Sequence, residues 1–575
     1  MLAEQVARGE LEPVAERLPD EPRVVAPAEG EGRYGGALRR AYAFDGIWGV
    51  SPYELAYGAT GRELHGLAGA DLAAYDEGLT LVPNLCAWWQ FDAGATRLTV
   101  GLRRGVRWSD GAPLTAADAV YHHAHHLPAL GLDRAGDPQV EVVDDFTFVL
   151  HFSEPRPGYL HGAARTAPGP PLAPTHYLQG YHADLTDGEL LGEMARQQGL
   201  DDWRALYQEH ALAYVNPHLP VLGAWRSAEE APDPTGEPAR EHLPWERVQS
   251  RGWLLLERNP YYWQVDTAGQ QLPYIDHVLY TEVSGRDMLR LRLAGGEIDH
   301  QVRGLAAGDL GWLREAEGAG GPTVHTAPTS WHLTLQPNLT ARDLGLRAFL
   351  GLRAVRVALS LVIDREAIRR DVYDGLGAPR QYSPVAASPL YDPALSEAHI
   401  DHDPAEAGRL LDEAGYGRRD GEGYRLHPDG ERVSLEIVGL APEDSSAGRA
   451  GLRVAEDLQG VGIDATYRAV TPAEYTSLSM GNLYEAAWVE VGGALLPTVS
   501  PGAFVGGRPV EITKWAGVWA LYAVRPEDAD EPGSVVEAPP EEHWIRRIWA
   551  AARAMEAAPE EWQREAYMRE ILAVW

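Results

Sequence analysis

The clearest alternation of apolar and polar positions lies at residues 98–103, Leu-Thr-Val-Gly-Leu-Arg, and it predicts a β-strand. Residues 108–111, Trp-Ser-Asp-Gly, are typical of a tight turn, because Asp can bond nearby backbone groups and Gly accepts a positive φ. Thr115 follows as a predicted helix N-cap, with Asp118 as its capping-box partner three residues later. The segment therefore predicts a strand, a turn and a capped helix.

Helical spacing is clear in the second half of the chain. Val355, Ala358, Leu359 and Val362 recur at intervals of three and four residues, which predicts a helix with one buried face. Asp364 is placed to cap the helix that follows. Further predicted helices are 188–198, 403–415 (capped by Asp403, with Pro404 in the first turn and Gly415 at the end), 447–459, and two within 541–575 that are separated at Pro559; further predicted strands are 34–41, 145–152, 251–258, 323–338, 433–438 and 463–470.

Length and charge limit the possible classes of protein. The chain has 575 residues, enough for two or more domains, and its 45% hydrophobic and 23% charged residues are typical of a globular protein. A net charge of −34 repels phosphate backbones, so we expect no nucleic-acid partner. The sequence contains no run of 18 apolar residues, so we expect no membrane-spanning helix. The acidic N-terminus does not resemble a signal peptide. The single cysteine, Cys86, lies in an apolar context and is expected in the core.

A run of histidines, Tyr-His-His-Ala-His-His at 121–126, continues the predicted helix after Asp118. His122 and His126 are four residues apart and could meet on one helix face, as metal ligands sometimes do. Pro128 is expected to end the helix, and no nearby carboxylate or cysteine has the spacing to complete a site. We therefore expect a solvated, histidine-rich helix end and no metal site or cofactor.

Six or more motifs in order resemble those of the family 5 bacterial solute-binding proteins, the oligopeptide- and dipeptide-type receptors of ABC importers, which also include nickel and oligosaccharide binders. Residues 102–120, LRRGVRWSDGAPLTAADAV, match a long motif of that family, with Ala119 where Val is usual. The other matching segments lie at 34–41, 75–90, 256–263, 293–299, 355–368 and 403–416, and residues 265–276 are similar to a long subgroup that includes oligosaccharide binders. The resemblance covers most of residues 34–495.

The resemblance implies an α/β, two-lobe fold of the periplasmic-binding-protein type, with a hinge, an interlobe cleft and mixed sheets flanked by helices. We expect an N-terminal helix and arm at 1–33, lobe I at 34–330 with an extra subdomain at about 67–165, and lobe II at 331–575. In the family a further segment follows the C-terminal helices and returns to lobe I. This chain stops after those helices, at Trp575, so we expect that segment to be missing. The resemblance also implies an extracytoplasmic location, a membrane permease as partner and, we expect, a monomer.

Family topology places four segments near the ligand. The residues that they contribute as predicted ligand contacts are Phe44, Asp45, Trp48, Trp331, His332, Gln381, Tyr382, Trp488 and Glu490. Peptide-binding members have a Trp at the position of Trp488 and, three residues later, an Asp that pairs with the peptide's α-amino group. Here position 491 is Val, and Glu490 would face the other side of a strand. A buried ammonium without a counter-ion is costly, which favours an oligosaccharide over a peptide.

The predicted function is therefore that of a solute receptor which transforms nothing. Its 18 Trp and 25 Tyr against 7 Phe suit stacking on sugar faces, because these rings carry a polar edge. An oligopeptide ligand is the alternative within the same class. A secreted carbohydrate-active enzyme is the alternative from another class, since paired carboxylates cannot be recognised by spacing in so acidic a chain. The chain has no G-x-S-x-G, H-E-x-x-H, Walker or dinucleotide motif, and we predict no catalytic residues.

Overall fold

The computed structural model of the chain describes residues 1–43, 67, 69–133, 136–164, 171–211, 216–228, 253–326, 329–506, 514–531 and 534–575. These residues divide into two compact units. Unit 1 consists of Met1–Leu305 and Ala316–Pro322, and unit 2 consists of Ala306–Glu315 and Thr323–Trp575.

Unit 1 contains two four-stranded sheets. The first has the order β2-β12-β10-β9, with β2 and β12 parallel and the other neighbours antiparallel; the second is the antiparallel sheet β5-β6-β8-β7. The strands of unit 1 are β1 Arg23–Val24, β2 Ala37–Ala43, β3 Ala73–Tyr75, β4 Leu81–Pro83, β5 Cys86–Phe91, β6 Arg97–Leu102, β7 Gln139–Asp144, β8 Thr147–His151, β9 Trp225–Ser227, β10 Trp253–Arg258, β11 Gln264–Val265 and β12 His277–Val283. The strands predicted at 98–103, 145–152 and 251–258 are thus confirmed to within a few residues.

The helices of unit 1 are short. They are α1 Leu2–Arg8, α2 Val14–Arg17, α3 Ala117–Tyr121, α4 Leu127–Leu130, α5 Tyr159–Ala163, α6 Thr175–Leu178, α7 Gly188–Gln197, α8 Trp203–His210 and α9 Arg286–Ala294; a π-helical turn, His122–His126, joins α3 to α4, and Gln179–Tyr181 is a 3₁₀ turn. Asp187 and Asp202 cap α7 and α8 through their carboxylates, which satisfies backbone N–H groups at those helix starts.

Two details of the first predicted segment are wrong. Thr115 does not cap a helix, because α3 begins at Ala117 and has no side-chain cap. The Asp118 carboxylate does accept the backbone N–H of Thr115, at 3.1 Å, as the predicted pair requires, and it also accepts the indole N–H of Trp108 at 3.2 Å, so it ties the helix to the turn before it. Pro128 does not end the helix either, since it lies in the first turn of α4 and tolerates that position well.

Unit 2 is organised around one mixed sheet of order β13-β16-β14-β15, in which β13 is antiparallel to β16 and the other neighbours are parallel. The strands are β13 His332–Pro337, β14 Ser434–Gly439, β15 Asp464–Ala469 and β16 Ala486–Val491. β14 buries Leu435, Ile437 and Val438, on both of its faces, as expected for a central strand that helices cover on both sides. The predicted strand at 323–338 is confirmed only from His332 onward; residues 323–325 have no regular structure.

Helices supply the rest of the unit 2 core. They are α11 Leu344–Gly351, α12 Arg353–Val362, α13 Arg365–Val372, α14 Pro393–Ser396, α15 Pro404–Leu411, α16 Ser446–Gly460, α17 Pro472–Met480, α18 Gly502–Val505, α19 Gly517–Val524, α20 Ile545–Ala557 and α21 Glu561–Val574, with 3₁₀ turns at Ala307–Asp309 and Pro526–Asp530 and a π turn at Asp412–Tyr416; α10, Leu310–Gly318, spans residues of both units. The predicted caps hold: Asp364 accepts the N–H of Ala367, and Asp403 that of Glu406. Among the described residues no helix combines the length and the apolar character needed to cross a bilayer.

Candidate ligand-binding site

The edge of the unit 2 sheet brings together three of the predicted contact residues. Trp331 immediately precedes β13 and is 60% exposed, and His332 is the first residue of that strand. His332 pairs with Val491 across the antiparallel ladder, so both side chains lie on the same face. The Tyr382 ring stands 5.3 Å from the His332 ring, close to perpendicular to it. An exposed indole, an imidazole and a buried phenol ring are therefore neighbours at one end of the sheet.

Two glycines that follow β16 make this arrangement possible. A Cβ on Gly492 would lie 3.0 Å from the Trp331 ring, so the indole rests on bare backbone there. Gly493 has a φ of +93°, which other residues rarely adopt. The Tyr382 hydroxyl donates a 2.6 Å hydrogen bond to the carbonyl of Gly492 and fixes the turn. Sequence reasoning missed the role of these glycines, although the Gly-Gly pair directly after a strand was a usable signal.

Two aromatic residues distant in sequence, Phe504 and Trp575, support Tyr382. The Trp575 indole N–H donates to the backbone carbonyl of Tyr382 at 3.2 Å, and the Phe504 ring packs 4.7 Å from the Tyr382 ring. Burial raises the pKa of the Tyr382 hydroxyl, because an ionised phenol would lose its hydration. Tyr382 therefore remains a neutral hydrogen-bond donor and a rigid part of the site.

Burial also lowers the pKa of His332, since a charged imidazole would be poorly hydrated at this position. The ring of His332 beside Trp331 is then uncharged, and its cross-strand neighbour Val491, 1% exposed, belongs to the core and contributes no acidic group. Such a surface suits an uncharged ligand face better than an ammonium group.

Trp488 and Gln381 occupy structural positions. Trp488 is buried in the core of unit 2, and its indole N–H donates to the carbonyl of Ala447 in α16 at 2.8 Å. The Gln381 amide donates to the hydroxyl of Ser360 and to the carbonyl of Ala398, at 2.7 and 2.8 Å. Both side chains therefore hold neighbouring segments together through these bonds.

Glu490 lies on the face of β16 opposite to Val491, and its side chain is exposed. It acts electrostatically on Tyr373, whose pKa is raised to about 12 mainly by burial and secondly by the Glu490 charge. This carboxylate is thus available to solvent but does not substitute for an acidic group at position 491. Phe44, Asp45 and Trp48 lie outside the described residues.

The histidine run at 121–126 is not the solvated helix end that the sequence predicted. His122 is buried, and His126 donates or accepts a 2.9 Å hydrogen bond with the Tyr207 hydroxyl through Nδ1. Burial lowers the pKa of His126 to about 4. These two rings lie 5.3 Å apart and are part of the packing between α3, α4 and α8, so the predicted solvated helix end is wrong.

The comparisons with known proteins agree with this architecture. The family description "Bacterial extracellular solute-binding proteins, family 5 Middle" matches residues 80–501. A periplasmic alpha-galactoside-binding protein of Rhizobium meliloti (strain 1021) is 26% identical over 77% of this chain and 63% of its own length. Protein XP55 of Streptomyces lividans is 24% identical over 72% of this chain and 64% of its own length. The chain therefore spans slightly less than two thirds of these two curated relatives.

Two solved structures are similar to this chain in fold. An oligopeptide-binding protein OppA is 28% identical, with a TM-score of 0.80 over 100% of this chain and 88% of its own. The periplasmic binding protein MelB from Agrobacterium fabrum C58, solved with stachyose, is 20% identical, with a TM-score of 0.58 over 100% of this chain and 82% of its own. The predicted α/β fold of the periplasmic-binding-protein type is confirmed by these likenesses. Because the family description covers well over half of the sequence, this chain belongs to the family 5 bacterial extracellular solute-binding proteins.

Proposed function

We propose that this chain is the solute-binding component of an ABC importer and that its ligand is an oligosaccharide. In this proposal the protein works outside the cytoplasm as a monomer, holds its ligand without transforming it, and delivers it to a membrane permease. The observation that carries the choice of ligand is the exposed ring of Trp331 next to His332, whose cross-strand partner is the buried, uncharged Val491 and not an acidic residue. An aromatic face next to uncharged groups suits the apolar face of a sugar.

The Trp331 indole is the predicted stacking platform. It is exposed, it rests on Gly492, and His332 and Tyr382 fix the strand and the turn on either side of it. A platform whose surroundings are already ordered loses little entropy when ligand binds. The likeness to the alpha-galactoside-binding relative supports a sugar ligand independently of this geometry.

An oligopeptide is the second candidate, favoured by the higher TM-score to the oligopeptide-binding protein OppA. Such a ligand would have to place its α-amino group without a carboxylate at position 491. Glu490 is the nearest acidic residue in the sequence, but it lies on the opposite face of β16. The peptide proposal therefore requires a different mode of binding from the one implied by the family resemblance.

The experiment is a thermal-shift and calorimetric screen of the whole chain with stachyose, cellotetraose and tri- to pentapeptides, in buffer that contains EDTA. A ligand present at 100 Kd stabilises the folded state by about 2.7 kcal/mol. We expect stabilisation by a sugar and not by peptides. Stabilisation by peptides alone would refute the sugar assignment but keep the receptor class, whereas release of shorter sugars from the ligand would refute the receptor class.

Two tryptophan variants localise the site. Trp331→Ala is expected to weaken sugar binding by about tenfold or more, equivalent to 1.4 kcal/mol, with little change in the unfolding transition. Trp562→Ala is the matched control, because Trp562 is 67% exposed but lies on α21. Equal affinities for the wild type and the Trp331 variant would exclude the proposed platform.

A further inference from the structure

Unit 1 holds a second cluster of polar side chains, which joins one residue of the histidine run at 121–126 to two residues near position 183. His125 lies in the π-helical turn between α3 and α4, and His182 and Asp184 follow the 3₁₀ turn at 179–181. Each of these three side chains offers one ligand atom, and the three atoms lie within 4.8 Å of one another. We propose that His125, His182 and Asp184 form a binding site for one divalent transition-metal ion of the Ni²⁺, Cu²⁺ and Zn²⁺ class.

The distances fit a shared ion. Nδ1 of His125 lies 3.8 Å from a carboxylate oxygen of Asp184, and Nδ1 of His182 lies 3.9 Å from the same oxygen. Two ligands that are each about 2.1 Å from one metal ion can be at most about 4.2 Å apart. Both separations are below that limit, and the third pair, His125 with His182, lies within 4.8 Å, so it would close by at most about 0.6 Å on binding. The Asp184 side chain is 74% exposed, so a small rotation of the carboxylate can shorten them further.

The hydrogen bonding of the two imidazoles is also consistent with metal binding. Nδ1 of His125 is buried and has no hydrogen-bond partner, which is costly for a polar atom unless something occupies the position. Nδ1 of His182 accepts the backbone N–H of Asp184 at 3.2 Å, so this nitrogen is unprotonated, as a metal ligand must be. A bond of that length is at the weak end of the range and can be exchanged for a metal.

Packing fixes the two rings against each other. The His125 and His182 rings are 4.9 Å apart in an edge-to-face arrangement, and the Trp203 ring lies 5.0 Å from His182. The side chain of His182 is only 5% exposed, which limits its rotation. A π-helical turn such as 122–126 is itself a feature that recurs at functional sites.

The donor set indicates the class of ion. Two imidazole nitrogens and one carboxylate oxygen suit Zn²⁺, Ni²⁺, Co²⁺ and Cu²⁺, whereas Mg²⁺ and Ca²⁺ prefer oxygen ligands alone. Three protein ligands leave the remaining positions to water, with the exposed carboxylate on the solvent side. Because the ligands come from two segments, a bound ion would cross-link the helix at 121–130 to the segment at 182–184.

The test is isothermal titration of the whole chain, freed of metal with EDTA, with Ni²⁺, Cu²⁺ and Zn²⁺, together with the visible absorption of bound Co²⁺. Asp184→Asn and His125→Asn are the variants. Asp184 is largely exposed, so its variant should fold even if the change at His125 disturbs packing. We expect one tight equivalent in the wild type, and at least a tenfold loss of affinity, with loss of the Co²⁺ bands, in each variant.

His151→Gln is the matched control. His151 also contacts a carboxylate, that of Glu141 at 2.8 Å, but this pair belongs to no three-residue metal-binding group among the described residues. The control should bind metal as the wild type does. Unchanged affinity in the Asp184 variant would refute the proposal, and an equal loss in the control would show that the 20 histidines bind metal without a defined site.

Discussion

Replacing Val491 with Asp tests whether position 491 belongs to the core or to a ligand surface. Val491 is 1% exposed and packs in the same core cluster as Trp488 and Phe504. The resemblance implies that peptide-binding relatives carry an Asp here. In this chain the same residue would lie in an apolar environment and would destabilise the fold.

The magnitude follows from two contributions. Loss of the buried Val side chain costs about 2 kcal/mol, and an amide or carboxyl group without partners adds about 1–3 kcal/mol. Val491→Asn measures this sum of about 3–5 kcal/mol. Val491→Asp adds a charge, because burial would raise the carboxyl pKa by about 3–5 units, and each unit is worth 1.36 kcal/mol. At pH 7 the Asp variant should therefore be about 4 kcal/mol less stable than the Asn variant.

The assay is urea unfolding of both variants between pH 4 and pH 8. A group whose pKa is raised in the folded state stabilises below its unfolded pKa and loses that contribution as pH rises. The two variants should thus be equally stable near pH 4 and diverge above it, by up to 1.36 kcal/mol for each pH unit. His332, the cross-strand partner, can reduce the slope by accepting a proton beside the new carboxylate. Equal stability of the two variants at every pH would refute the placement of position 491 in the core.

Three further predictions address packing, reactivity and pH. Gly451→Ala should cost about 1–3 kcal/mol in a urea titration, because the new methyl group would lie 2.8 Å from Tyr467, whereas Gly460→Ala in the same helix has nothing within 4 Å and should be neutral or stabilising; equal effects would contradict this packing. Cys86 is buried and burial raises its pKa to about 11, so a thiol reagent should label it only after unfolding, and rapid labelling of the native protein would disagree. Because burial lowers the pKa of His332, the unfolded chain takes up the proton first as pH falls below 6.5, and the wild type should lose more stability in that range than His332→Gln; parallel pH profiles would exclude this linkage.

Local signals predicted much of the fold. The caps at Asp364 and Asp403 are formed as expected, because capping depends on residues three positions apart. The two C-terminal helices separated near Pro559 are present as Ile545–Ala557 and Glu561–Val574. Thr115 caps no helix because α3 begins only at Ala117, and the Asp118 carboxylate, besides accepting the backbone N–H of Thr115, makes a further contact with the indole of Trp108. Tertiary contacts of that kind cannot be inferred from spacing.

The candidate site was less predictable for the same reason. Trp488 stays a predicted ligand contact by family position; spacing did not show that its ring packs in the core of unit 2, next to Gly451 of α16. The i and i+4 spacing drew attention to His122 and His126, for which no metal site was predicted, and gave no sign of the grouping of His125 with His182 and Asp184. Residues 122–126 form a π-helical turn, whose hydrogen bonds join residues five apart, so α-helical spacing does not give the positions of its side chains. The histidine that lies near other potential ligands is His125.

The uncharged character of the Trp331 surface has a consequence for selectivity. Neither the neutral imidazole at 332 nor the buried valine at 491 supplies a counter-ion beside Trp331, so an ammonium bound there would lose hydration without that compensation. A sugar loses less, since its hydroxyl groups can keep hydrogen bonds to backbone and water while one face covers the indole. Discrimination would then come from the penalty against peptides rather than from added contacts to the sugar. A carboxylate introduced near Trp331 should therefore reduce sugar selectivity only at a position that ligand can reach. Position 491 is buried, so it is not such a position.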